Sequence, residues 1–156
     1  LNGQTEISAP TNLKMPEPDS IGGGTEPCHK SYHADWHDFS LTTLKNQGYI
    51  DDDDNLCPAY DAATQIWGNE WRMPTWDELD ELWKDCSRRR TTMNGEKVFL
   101  VTGPNGNYIY MPAEENYWSS TYYSISDAFC LDFDEYYSYY HGKKVEGCYC
   151  VRPVLK

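Results

Sequence analysis

The sequence predicts an α+β domain in which two helices precede a strand-rich C-terminal half. Three patterns carry that expectation. Thr75-Trp76-Asp77-Glu78 is a capping box that opens an amphipathic helix. Gly103-Pro104-Asn105-Gly106 separates two apolar runs, and Asn-Gly is the strongest short hairpin signal. Phe129, Leu131 and Phe133 alternate with Cys130, Asp132 and Asp134, which is the period of a strand. With 156 residues, the chain fits one domain with a sizeable core.

In chain order, residues 1–21 read as an extended N-terminal segment and residues 22–156 as the folded domain. Pro10, Pro16, Pro18 and Pro27, with Gly22-Gly23-Gly24, interrupt regular structure up to residue 27. His29, His33 and His37 follow at i, i+4, i+8 spacing and on a helix would share one face able to hold a metal; no apolar periodicity supports a helix there, so no metal is expected. Asp51 to Asp54, then Asn55, offer oxygens for calcium but lack the glycine and distal glutamate of an EF-hand loop, and read as a solvated acidic loop. Pro58 to Trp67 reads as a short helix with an apolar stripe of Ala59, Ala62, Ala63, Ile66 and Trp67, ended by Gly68. The capping box opens the second helix, on which Trp76, Leu79, Leu82, Trp83 and Cys86 share a face. Its acids Asp77, Glu78, Asp80 and Glu81 sit where the helix dipole favours them, a structural role that suffices. Lys97 to Thr102 and Asn107 to Met111 then flank the hairpin turn, and Tyr149 to Val154 reads as a closing strand that Pro153 makes edge-like.

Composition narrows the function. Hydrophobic residues at 39% and aromatics at 15% are too many for disorder. No apolar run approaches the ~20 residues of a membrane span, so no membrane insertion is expected. The 13 Lys+Arg against 25 Asp+Glu give a net charge of -12, which repels phosphate backbones and anionic membranes. With Arg88-Arg89-Arg90 as the only basic cluster, nucleic acid is not expected as a partner. Cys28, Cys57, Cys86, Cys130, Cys148 and Cys150 would suit an oxidised compartment, but their irregular spacing defines no disulfide framework. Cys148 and Cys150 are two apart on a strand, roughly 6.5 Å or more, too far for a mutual bond. As a C-x-C pair they lack the second pair of a zinc site. No signal peptide is visible and the start at Leu1 rather than Met suggests processing, which leaves secretion open. No cofactor is expected.

The last third has the composition of a binding surface. Tyr117 to Cys150 holds 8 of the 13 tyrosines and 5 serines, while its Leu, Ile and Val number three. Tyr gives a large, fairly rigid face with a polar tip at low entropic cost, and Ser and Gly give small adaptable positions, as in paratopes. The competing reading is an aromatic-rich sheet half in the core. On the binding reading the ligand-facing candidates are Tyr122, Tyr123, Ser124, Ser126, Asp127, Asp132, Asp134, Tyr136, Tyr137, Ser138, Tyr139, Tyr140, His141, Cys148 and Cys150. Tyr136, Tyr137, Tyr139, Tyr140 and His141 form their centre. Trp67, Trp71, Trp76, Trp83 and Trp118 are assigned to the scaffold, and no residue is assigned to catalysis.

The segment from Asp61 to Leu79, with Trp71-Arg72-Met73-Pro74-Thr75 its most specific block, together with Tyr117-Trp118-Ser119-Ser120 and Val151-Arg152-Pro153-Val154, resembles the Fibrobacter succinogenes major paralogous domain, found widely in Bacteroidetes. That domain belongs to the C-type-lectin-like superfamily of formylglycine-generating enzymes. The resemblance covers roughly Gly22 to Val154, with Gly24-Thr25-Glu26-Pro27 as a weaker anchor; the family's usual first strand is not evident in residues 1–20. It implies a C-type-lectin-like fold. The same fold carries the variable proteins of diversity-generating retroelements, in which adenine mutation turns AAC codons into Tyr, Ser, Asp, His, Cys, Phe, Ile, Thr or Gly. Those residue types dominate Thr121 to Cys150, while Glu135, Lys143, Lys144 and Glu146 would be fixed scaffold.

The resemblance therefore implies a receptor- or adhesin-type domain that binds a protein or glycan outside the cell, at the cell surface or on a phage particle. A formylglycine-generating oxidase and a structural cell-surface domain are the alternatives. Neither Cys148 nor Cys150 matches the copper-binding motif of that enzyme family. The Glu-Pro-Asn, Gln-Pro-Asp and Trp-Asn-Asp triplets of calcium-dependent lectins do not occur.

Overall fold

The computed structural model describes residues 6–8, 14–16, 26–30, 40–113, 115–124, 127–133, 140–144 and 148–156, with side chains over 40–113, 115–124, 127–132 and 150–156. The architecture is mixed α+β. Near the N-terminus β1 (Glu6–Ser8) and β2 (Lys14–Pro16) pair antiparallel, and β2 lies beside the last strand, β12 (Val154–Leu155). The central sheet has five strands: β3 (Glu26–Lys30), β8 (Glu115–Tyr122), β9 (Asp127–Phe133), β10 (Tyr140–Lys144) and β11 (Cys148–Val151), in the order β10-β9-β8-β11-β3. Its one parallel contact joins β11 to β8, Cys150 opposite Tyr117. A separate meander comprises β5 (Ser87–Met93), β6 (Glu96–Thr102) and β7 (Tyr108–Pro112). The short strand β4 (Trp71–Arg72) pairs with β12.

The central sheet is buried on both faces along β8, β9 and β11, because neighbouring side chains on these strands enter different clusters. Tyr117, Leu131 and Cys150 join Leu79, Leu82 and Cys86 of α3 (Trp76–Asp85) and its end, with Val101, Ile109 and Met111 of the meander. Trp118, Cys130, Ala128 and Val151 join Leu44 of α1 (Leu41–Asn46), Ala62 and Ala63 of α2 (Ala62–Trp67), and Ile50, Leu56 and Met73. Cys130 therefore does not sit on a solvent face opposite Phe129 and Leu131, as the alternation suggests. It is 0% exposed, because a second layer of helices covers that side.

The α3 helix matches its sequence pattern. Thr75 Oγ1 accepts the Glu78 N–H while the Glu78 carboxylate accepts the Thr75 N–H at 2.8 Å; Leu79 and Leu82 are fully buried, and Trp76 and Trp83 pack on the same cluster. At its C-terminus Arg88 donates to the carbonyls of Trp83 and Cys86, and its guanidinium lies 3.5 Å over the Trp83 ring. That placement satisfies orphan carbonyls and favours a cation at the negative end of the helix dipole. Along β5 the three arginines point alternately to the two faces, so they form no single basic patch.

Four elements differ from expectation. The helix expected over Pro58 to Trp67 begins only at Ala62, because Asp61 caps it by accepting the Thr64 N–H, and Pro58 to Tyr60 form the preceding turn. A helix the pattern did not suggest, α1, is nucleated by Ser40, whose side chain accepts the Thr43 N–H. Strand β5 was hidden by its Ser-Arg-Arg-Arg composition, yet Asn94 (φ 51) and Gly95 (φ 87) join Met93 to Glu96 as a two-residue turn. Both positive angles are those of a type I′ hairpin, which Gly95 adopts without a Cβ penalty. The second Asn-Gly, at 105–106, lies in a longer loop closed by the Gly103 N–H on the Asn107 carbonyl at 2.9 Å. Finally, the closing strand is two strands. Arg152 and Pro153 separate β11, which lies inside the sheet between β8 and β3, from β12, so Pro153 marks a break and not an edge. Among the described residues, no helix is long and apolar enough to cross a membrane.

Candidate functional site

The block Trp71-Arg72-Met73-Pro74-Thr75 is a structural junction. Trp71 and Arg72 pair with Leu155 and Val154, and the Arg72 guanidinium grips Glu78 through two bonds of 2.7 and 2.5 Å. Being bidentate, part-buried and coupled to a helix cap, this pair fixes geometry better than an exposed ion pair does. The Met73 N–H donates to both oxygens of Asp61 at 3.1 and 2.9 Å, and the Pro74 carbonyl accepts the Ser120 N–H at 2.9 Å. Five consecutive residues thus join α2, α3, β12 and β8.

Asp61 is 2% exposed, and its carboxylate accepts the Thr64 and Met73 N–H groups, with the Thr64 side chain also bonded to it. Burial is the largest influence and pushes its pKa up, with the Thr64 and Met73 N–H groups acting in the opposite sense. Asp61, Asn55, Ser120, Arg72, Asp51 and Lys156 are among the residues around a cleft of about 310 Å³. Its charged groups are largely engaged with the scaffold: Arg72 with Glu78, and Asp51 Oδ1 with the N–H groups of Asp53 and Asn55 at 3.0 and 2.9 Å. The acidic loop is built as a self-bonded turn, tied back to α1 by Lys45 on Asp54 at 2.6 Å.

The same loop is stitched to the tyrosine segment. Asn55 Oδ1 accepts the hydroxyls of Thr121 at 2.6 Å and Ser120 at 3.2 Å, and the Thr121 hydroxyl accepts the Trp76 N–H at 2.8 Å. The Asp54 carbonyl takes the Tyr122 N–H at 2.8 Å. Sequence reasoning missed Asp61, Asn55 and Thr121 as organising residues. Only Asp61 leaves a local signal, an Asp three residues ahead of Thr64 at a helix start.

The expected ligand-facing residues divide. Tyr123 is 51% exposed, and Tyr122, Ser124, Asp127 and Asp132 are partly exposed. Ser124 and Asp127 close the β8–β9 hairpin: their backbones exchange two hydrogen bonds and the Ser124 hydroxyl donates to the Asp127 carboxylate at 3.0 Å. Tyr123 meets Phe129 edge-on at 4.7 Å, and Phe129 stacks on Trp76 at 4.9 Å, giving an aromatic ledge beside the start of α3. Trp76 is thus shared between scaffold and ledge. Cys150 requires correction: at 2% exposed it belongs to the core against α3, because inward residues of β11 face that layer. Tyr140 lies opposite Leu131 and His141 opposite Cys130 on the outermost strand β10, and Cys148 opposite Lys30 on β11. Ser126, Asp134, Tyr136, Tyr137, Ser138 and Tyr139 lie outside the described residues, as do His33 and His37. His29 falls on strand β3, not on a helix.

Neither Cys57 nor Cys86 is activated as a nucleophile. Burial pushes Cys86 up to about 11, and burial with the nearby Asp51 charge raises Cys57, so both are protonated at neutral pH. Cys86, Cys130 and Cys150 are buried; the Cys130 thiol donates to Asn116 Oδ1 at 3.7 Å and the Cys150 thiol to Glu115 Oε2 at 3.6 Å. No protein-family model, curated protein or solved structure matches the chain.

Proposed function

We propose that this chain is a ligand-binding domain of receptor or adhesin type with a C-type-lectin-like fold, whose Tyr- and Ser-rich surface after Thr121 engages a protein or glycan outside the cell, at the cell surface or on a phage particle. The reading rests chiefly on a change of direction at Ser120. Tyr117, Trp118, Ser119 and Ser120 are all buried, whereas the next three residues turn outward and end in a half-exposed tyrosine. Tyr122 still packs on the core beneath, and Ala128, Cys130 and Leu131 of β9 are buried, so the outward turn is confined to the end of the hairpin. Beneath it, α3, the Trp71–Thr75 junction and the Thr121–Asn55 bond fix the root of the hairpin, which supports the same reading. The residue types of the segment favour retroelement diversification, and a reverse transcriptase gene with a near-copy of the 3′ coding end beside this gene would test that origin.

Binding itself is tested once a ligand is found by protein-surface or glycan-array screening. Replacing Tyr137 and Tyr139 together by Ala should cost ~2 kcal/mol or more in affinity with the melting transition unchanged. Unchanged affinity would move the site elsewhere.

A further inference from the structure

We propose that this surface takes a basic segment of a protein partner, seating an arginine or lysine on the ledge of Tyr123, Phe129 and Trp76; the inference rests on the binding reading and specifies its partner. The first ground is geometry. Tyr123 is half exposed and meets Phe129 edge-on, while Phe129 stacks on Trp76, so rings packed on the scaffold reach solvent at one edge. An aromatic face attracts a cation through its quadrupole. The chain makes that contact internally, with Arg88 over Trp83.

The second ground is charge. Between Lys97 and Lys143 the described residues include no lysine or arginine but three acids, Glu115, Asp127 and Asp132. The neighbouring elements add Asp77 on the first turn of α3 and, through the Tyr122 to Asp54 bond, the acidic loop; Asp52, Asp53 and Asp77 are exposed. Of the nearby cations, Lys45 pairs with Asp54 and Lys84 with Asp80, while Lys143 and Lys144 lie opposite Ala128 and Asp127 across the β9–β10 ladder. Acids outnumber bases around the ledge, so the balance favours a cationic ligand over a sulfated glycan or a phosphopeptide. A guanidinium or ammonium would find both a ring and carboxylates.

The test uses the whole chain and three capped peptides of equal length, in which Gly and Ser alternate with Arg, Glu or Gln. Binding is followed by tryptophan fluorescence and by NMR. The Arg peptide should bind, weakening as salt rises from about 0.05 to about 0.5 M, and the Glu and Gln peptides should not. Because a net charge of -12 attracts any polycation, site variants decide the matter. Tyr123→Ala should weaken the Arg peptide about threefold to tenfold and Tyr123→Phe should restore it, as expected for a ring face. Asp127→Asn should weaken it more than Glu96→Gln, an equal charge change on the exposed β5–β6 hairpin. Equal effects of these two, or indifference to Tyr123→Ala, would overturn the proposal. A Gln-peptide or glycan ligand lost on Tyr123→Ala would overturn the basic partner while leaving the binding surface in place.

Discussion

Asp61 offers a sharp test of how this fold is held together. Replacing it by Ala removes the cap of α2, where the Thr64 N–H is bonded at 2.8 Å, and costs about 0.5–2 kcal/mol. It also strips the Met73 N–H of both carboxylate contacts at a buried position, which adds about 1–3 kcal/mol. The sum is ~1.5–5 kcal/mol, with the spread set by how far water can reach from the cleft. Asp61→Asn should cost less, because its Oδ1 keeps the Thr64 bond, although the new amide meets the Met73 N–H donor to donor. The pH dependence has a definite sign. Burial raises the folded-state pKa of Asp61 above its ordinary value of 3.8, so the native state holds the proton more tightly than the unfolded chain. Its contribution is fully present below 3.8 and is lost as pH rises through the folded value. Urea melts of wild type and Asp61→Asn across that interval, taken as a difference so that the other carboxylates cancel, should show wild type losing ground with rising pH. A wild-type gain instead would mean that the backbone donors outweigh burial, and the electrostatic account would be refuted.

Leu79→Ala should destabilise by ~2–5 kcal/mol, since the side chain is fully buried between α3 and the sheet, whereas Tyr139→Ala should stay within about 1 kcal/mol; thermal melts with the tyrosine change as the worse of the two would put the aromatic run in the core. Thr121→Val should cost about 1–3 kcal/mol by removing the hydroxyl between the Trp76 N–H and Asn55 Oδ1, and Thr121→Ser should recover most of it; equal stability of all three by denaturant titration would show that this bond does not hold the loop to α3.

Much of the scaffold was legible because its signals are local. The α3 cap, its apolar face and the β6–β7 pairing each need only a few neighbouring residues to be recognised. What escaped was decided by partners far away in sequence. β5 reads as a polar run, yet it is a strand because Ser87 to Met93 register against Thr102 to Glu96. Cys130 and Cys150 look like surface positions in a Tyr-rich strand until helices cover both faces of the sheet. The Asn55 and Thr121 side chains touch across 66 residues, a pairing no local pattern encodes. The proposed ligand-facing half is read through composition alone, since paratope-like residues suit many ligands and encode no single pattern. The division has a physical reason. Ser119 and Ser120 are constrained by the packing they complete, each with more than one hydrogen-bond partner. Tyr123 meets Phe129 and is 51% exposed, so on the proposed reading much of its ring is available to a partner.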